Sequence, residues 1–365
     1  MPIDPDSLRR RLTELVAADT QNPSGDEGPL VAKLAVELRR LGATTVESFS
    51  VDRHHAVFAA FGPAPRVLVN VHVDTVPANA GYTTPPLTLV DRGGRLYGLG
   101  SADTKGAIAA ALEAIEVRAR DGRAIQGTAF LFSGDEERGN TVLRSFVESD
   151  LRRGLERAIV CEPTGCRVGV RHRGIGAAIA AATSPGGHSS LADALPAPVA
   201  ILARAAVAVY DWGRRRRHEG PKGFEGLCVN VAAIDGGVAF NVVPARAKLT
   251  VSFRPWPGAD MGALHGELEA EARAAAAPDP LSWQAVIANP SLAVGDLEAF
   301  RPLLGDAVND PIDLHFWTEA AVLSAAGIDA VVFGPGDIAQ AHGPDEYVET
   351  AQLARACDTF VRGLP

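Results

Sequence analysis

Short apolar runs alternate with helical stripes along the first 170 or so residues. Ser7–Leu41 carries a helical pattern, with a capped, amphipathic start near Asp6. Val51–Phe61 has the residue types of a strand. Arg66–Val73 is valine-rich and almost wholly apolar, the mark of a strand buried on both faces. A loop rich in Gly, Pro and Thr follows, and Lys105–Arg120 predicts a helix with alanine on its inner face. Thr128–Ser133 and Ala158–Cys161 predict two further buried strands. Strand and helix alternating in this way imply an α/β layer around a mostly parallel sheet.

The middle of the chain changes character. Gly174–Thr183 alternates as a half-exposed strand does, and Pro196–Tyr210 is an alanine-rich helix. Leu227–Ile234 and Ala247–Phe253 predict strands and Gly262–Ala276 a helix, which suits two helices on one four-stranded α+β sheet. Strand then helix return at Asp329–Phe333 and Thr350–Arg362. The pattern therefore predicts a discontinuous catalytic domain, residues 1–172 and 284–365, with a smaller domain, 173–283, inserted in it.

Composition narrows the class. A chain of 365 residues suits two domains, and 47% hydrophobic with 22% charged residues is ordinary globular usage. No apolar stretch approaches bilayer length, and the N-terminus lacks an apolar signal core, so no membrane partner and a cytoplasmic location are expected. A formal net charge of -9 argues against nucleic acid, with Arg214–Arg217 reading as a solvated loop. Cys161, Cys166, Cys228 and Cys357 are too few and scattered for a disulfide framework and read as buried free thiols.

The candidate chemistry lies where apolar strands end. His72-Val73-Asp74 closes the valine-rich strand, and a metal-binding imidazole needs its second nitrogen held by a neighbour such as a carboxylate. Asp103, in Gly98-Leu99-Gly100-Ser101-Ala102-Asp103-Thr104-Lys105-Gly106, precedes a helix as a cap would. The segment fits neither a dinucleotide fingerprint nor a phosphate loop. Asp135-Glu136-Glu137 follows the strand Thr128–Phe132, and three adjacent carboxylates there are costly unless a cation neutralises them. Glu162 ends another strand. His342 follows Ala330–Phe333 and the loop Gly334-Pro335-Gly336. Two zinc ions need a bridging carboxylate and about two more ligands each. Asp103 can bridge, His72 and Glu162 can complete one ion, and Glu137 and His342 the other. Glu136 is then free as general base.

These motifs, in this order, resemble the two-zinc metallopeptidase family that includes acetylornithine deacetylase, succinyl-diaminopimelate desuccinylase, aminoacylase and glutamate carboxypeptidase. The resemblance spans nearly the whole chain. It implies the same ligand pairing, Asp74 as orienter, Glu136 as base, and a lid through which members commonly form homodimers. It also implies that His188, in Gly187-His188-Ser189, donates to the developing oxyanion, often across the dimer. By position, Asn241 and Arg254 match residues that hold a substrate carboxylate.

Trp317-Thr318-Glu319-Ala320 and the segment Phe316–Glu349 look like the acetylornithine and N-acetylcitrulline deacetylase branch, in which Glu319 could touch the substrate side chain. A helix start at Thr318 explains that pair equally well. The expectation is a hydrolase of arginine biosynthesis that removes acetyl from N-acetylornithine or N-acetylcitrulline with two divalent ions, zinc or cobalt. A desuccinylase, a dipeptidase and a non-hydrolytic binding protein on the same fold are the alternatives. His54, His55, His172, His218, His265 and His315 show no ligand-like partners in the sequence.

Overall fold

The structure, a computed structural model, describes residues 3–365. The chain folds as two compact units. The first comprises 1–170, 294–313 and 318–365, and the second comprises 171–293 and 314–317.

In the first unit the valine-rich segment forms the strand Val67–His72, every residue of it buried. It lies between Thr128–Ser133 and Arg157–Val160, parallel to both, and Asp329–Val332 runs parallel to Arg157–Val160. These four central strands are apolar on both faces because helices cover them, which is why their sequences run apolar rather than alternating. Outward from Thr128–Ser133 the sheet turns antiparallel through His54–Phe61 and then Thr45–Val51. The single strand expected over Val51–Phe61 is thus the second arm of a hairpin. Thr45–Val51 escapes notice because its residues are mostly exposed or half-buried, leaving little apolar signal.

The expected helical stretch 7–41 divides into Pro5–Val16 and Gly28–Arg40. The Asp4 side chain caps the first helix, accepting from the N–H of Asp6. The helix Gly106–Arg120 packs its alanines against Thr350–Gly363 and Pro5–Val16, small side chains letting the helices approach closely. Among the described residues no helix is long and apolar enough to cross a membrane.

The second unit is a four-stranded antiparallel sheet in the order Asn230–Gly236, Arg246–Phe253, Ile175–Thr183, Ser282–Asn289. The helices Pro198–Arg215 and Met261–Ala276 pack on each other and bury a core around Trp212, Phe253 and Leu268. A domain boundary at 283/284 would cut through Ser282–Asn289. That strand pairs with Ile175–Thr183, so the unit runs on to residue 293.

Two sequence expectations change here. Arg214 and Arg215 are the last turn of a helix rather than a loop. Arg215 pairs with Glu271 at 2.6 Å, and Arg216 pairs with Glu267 and stacks over Trp212. Cys161, Cys166 and Cys357 are buried thiols, but Cys228 is exposed.

Candidate metal centre

The parallel strands present their carboxyl ends together, and the sequence candidates of the first unit gather there. His72 is the last residue of its strand, in register with Ser133 at the end of the next. Asp103 lies in an irregular turn, Ser101–Lys105, just before the helix Gly106–Arg120. Asp103 faces two imidazoles at once. Its Oδ1 is 3.0 Å from His72 Nε2, and its Oδ2 is 3.3 Å from His342 Nε2. Glu137 Oε1 is 3.1 Å from His342 Nε2, and Glu162 Oε1 is 4.0 Å from His72 Nε2. Each half of the cluster therefore holds one imidazole and one terminal carboxylate, with Asp103 between.

Ligand atoms of His72, Asp103 and Glu137 all lie within 4.8 Å of one another. That spacing and this mix of nitrogen and oxygen donors suit a divalent ion. The electrostatics point the same way. Burial, and then the charge of Asp103, pushes Glu162 well above the usual carboxylate range; burial and Glu162 do the same to Glu136. Burial also raises Glu137. Burial alone would raise Asp103, but hydrogen bonds from His342 and His72 hold it low. The same bonds to Asp103 and Glu137 push His342 up to about 10. The crowding that raises these carboxylates is a repulsion that a dication would relieve, and the residues present fit such an ion.

Asp74 does more than the sequence suggests. His72 Nδ1 lies 2.9 Å from the main-chain oxygen of Asp74, with the Asp74 carboxylate at 3.6 Å. That carboxylate instead accepts the backbone N–H groups of Glu136 and Glu137 at 3.1 and 3.2 Å, so it fixes the segment bearing both glutamates. It also accepts from Asn22 Nδ2 at 3.1 Å.

Behind Asp74 lies a buried polar chain that no sequence motif marks. His54, expected to lack such partners, stands between Glu27 at 2.9 Å and Asp135 at 3.4 Å. Asp135 in turn accepts from Thr141 N and Oγ1. Glu27 and His54 sit in different elements 27 residues apart, and no local spacing announces their meeting.

Glu319 is turned inward. It is buried, and its Oε2 accepts from Asn70 Nδ2 at 2.6 Å. Burial raises its carboxyl to about 7. Its bonding partner is a strand residue, and its charge acts on Glu136 and Glu162 of the centre.

In the second unit the two-stranded ribbon Gly187–His188 with Val242–Val243 sets His188 beside Asn241, whose carbonyl accepts from Ser189 N at 3.0 Å. The His188 ring is exposed, its Nδ1 2.9 Å from Ser190 Oγ. Arg254 follows the far end of the strand Arg246–Phe253, so that eight-residue strand separates it from Asn241. At about 3.3 Å per residue that is roughly 25 Å, too far for one chain's Asn241 and Arg254 to grip one carboxylate. Arg254 lines a cavity of about 530 Å³ with Arg173, Phe224, His315, Phe316 and Trp317. Arg173 itself is committed to the carbonyls of Glu225, Gly226 and Arg254.

The chain is similar over nearly its whole length to known proteins. The chain is 34% identical over 370 residues to N-acetyl-L-citrulline deacetylase of Xanthomonas campestris pv. campestris, covering 98% of this chain and 97% of that protein. It is 32% identical over 385 residues to acetylornithine deacetylase of Myxococcus xanthus, with the same coverage. Among solved structures, an M20 family metallo-carboxypeptidase from Sulfolobus solfataricus superposes with a TM-score of 0.74 at 16% identity, covering 98% of this chain and 99% of that one. The model of peptidase family M20/M25/M40 matches residues 68–364, and the chain belongs to that family of hydrolases.

Proposed function

We propose that the protein is a two-metal amidohydrolase that removes the acetyl group from an N-acetylated amino acid of arginine biosynthesis, N-acetylcitrulline or N-acetylornithine. The observation that carries this reading is the double-facing Asp103, with an imidazole and a terminal carboxylate on either side. Similarity to an acetylcitrulline and an acetylornithine deacetylase over nearly the whole chain supports the choice of acyl group.

In this reading His72 and Glu162 would hold one ion and Glu137 and His342 the other, with Asp103 shared between them. Two divalent ions, zinc or cobalt, would supply Lewis acidity and lower the pKa of an attacking water. Glu136 takes a proton from that water as its oxygen attacks the amide carbonyl carbon. Glu136 then delivers the proton to the departing nitrogen as the C–N bond breaks, releasing acetate and the free amino acid. Asp74 keeps Glu136 in place through its backbone N–H. Arg254 offers the substrate carboxylate a two-pronged donor. His188 donates a hydrogen bond to the developing oxyanion. Because a full strand separates Asn241 and His188 from Arg254, we assign the two groups to different chains of a homodimer formed through the second unit. The cell compartment that fits this chemistry is the cytoplasm.

The test is steady-state hydrolysis of N-acetylcitrulline, N-acetylornithine, N-succinyl-diaminopimelate and a dipeptide by zinc- or cobalt-loaded protein. Dominance of one acetyl substrate supports the proposal. Preference for the succinyl compound or the dipeptide overturns the acyl assignment, and metal-loaded protein that turns over none of the four overturns the hydrolase reading of this site.

A further inference from the structure

Two segments carry the residues at the middle of the centre: 98–105 bears Asp103, and 334–346 bears His342. Glu346, a buried carboxylate with no role so far, joins them. Its Oε2 accepts the backbone N–H of Gly100 at 2.7 Å. Its Oε1 accepts those of Ala102 and Asp103 at 2.8 and 2.9 Å. Its main-chain oxygen takes a further bond, from Gly98 N at 2.9 Å. Just beyond it, Tyr347–Glu349 pairs antiparallel with Arg95–Tyr97, so the strand register delivers Glu346 onto the turn that bears Asp103.

Successive N–H groups converging on one anion form a charge-assisted nest, stronger and more directional than neutral contacts. The turn has little freedom to shift. Gly100 has φ 77, in the left-handed region, and a Cβ there would lie 2.7 Å from Thr75 and 3.0 Å from Lys105. The buried Lys105 ammonium is anchored to the Ala18 carbonyl at 2.9 Å. Holding the N–H of Asp103 fixes the direction in which its side chain leaves the backbone, and with it which oxygen faces which imidazole. His342 stands four residues before Glu346 on the same segment. A separate anchor holds that segment from outside, Asp345 accepting from Thr83 N at 2.7 Å and Oγ1 at 2.6 Å.

We propose that Glu346 is a positioning residue for the centre: it sets the two-sided orientation of Asp103 and ties it to the His342 segment. The ion held by Glu137 and His342 therefore binds tightly only while this carboxylate grips the turn. The inference rests on the two-metal reading of the site, and not on the identity of the substrate.

The experiment is a cobalt titration of the full-length protein, followed by visible absorption and chelator competition, with kcat and KM measured alongside. Glu346→Gln keeps the size of the side chain but places an amide N–H₂ against backbone donors. It is expected to bind the first cobalt as wild type does and the second about 10- to 100-fold more weakly, with an altered absorption per cobalt. kcat is expected to fall while KM holds.

Asp345→Asn removes the outer anchor of the same segment while Glu346 still grips the Asp103 turn, and is expected to weaken the second ion far less than Glu346→Gln does. An unchanged second affinity and spectrum in Glu346→Gln overturns the proposal, and so does equal weakening by Asp345→Asn. If Glu346→Gln does not fold, Glu346→Asp is read the same way. Failure of both to fold overturns the proposal, since the carboxylate then holds the fold rather than the centre. Wild-type protein that binds fewer than two cobalt ions overturns the metal reading itself.

Discussion

Two of the charged clusters in the first unit, one around Arg11 and one around His72, are balanced differently. Arg11 reaches Glu37 at 2.8 Å, Glu113 at 3.0 Å and also Glu116. Arg40 adds bonds to Glu37 at 2.7 Å and Glu116 at 3.0 Å, and Arg120 pairs with Glu116 at 2.8 Å. Three carboxylates there meet three guanidinium groups. At the strand ends, Asp74, Asp103, Glu136, Glu137 and Glu162 crowd around two imidazoles. Charges taken from water are tolerable only when paired or neutralised. The first cluster satisfies that rule with its own residues and can be a clasp between helices. The second cannot, and its surplus of anions marks the place where the protein takes something cationic from solution.

Removing that cation should therefore separate the clusters most sharply. Stripping metal with a chelator is expected to abolish hydrolysis and to lower the thermal midpoint, both restored by adding back zinc or cobalt; activity that survives a metal-free preparation would erase the distinction. Glu136→Gln comes next. It is expected to reduce kcat by about 10²- to 10⁴-fold, as for a lost general base, with two ions still bound by elemental analysis.

The balanced cluster should answer in the opposite currency, stability without chemistry. Arg11→Met leaves the buried Glu113 without its guanidinium, with Ser7 Oγ at 2.6 Å as its remaining donor, and is expected to cost about 3 kcal/mol in urea unfolding, with kcat and KM unchanged. The smallest effect concerns pH. Hydrogen bonds from Arg40, and from Arg11 against some cost of burial, lower Glu37 from 4.5 to about 2. A depressed carboxylate contributes stability that is present above its unfolded value and lost as pH falls from about 4.5 towards 2. Glu37→Gln should then lag wild type by about 1 kcal/mol at pH 7, after allowing for solvent screening, and the gap should close near pH 2.

The sequence reveals one of these clusters far better than the other. His72, Glu137, Glu162 and His342 each end or follow a recognisable strand and Asp103 precedes a recognisable helix, so an apolar run announces where a polar residue is exceptional. Arg11, Glu37, Glu113 and Glu116 sit on amphipathic helices where charge is expected, and only tertiary packing brings them together. His54 and Glu346 escape for the same reason, because their partners lie in other elements. Ser282–Asn289 is missed as a strand because most of its residues are exposed. Glu319 shows the limit of position as a guide: a motif singles it out, but only the fold shows that it is buried and bonded to Asn70.

The two ends of the long segment of the second unit, 171–293, are neighbours. His172 pairs with Leu292, and Arg171 with Ala293, as adjacent rungs of an antiparallel ladder. An insertion whose two ends already meet in this way can be replaced by a hairpin turn of two residues without stretching either flank. The same geometry offers genetic modularity. A different domain with closely spaced termini could be spliced at these rungs, while His72, Asp103, Glu137, Glu162 and His342 stay encoded in the host sequence.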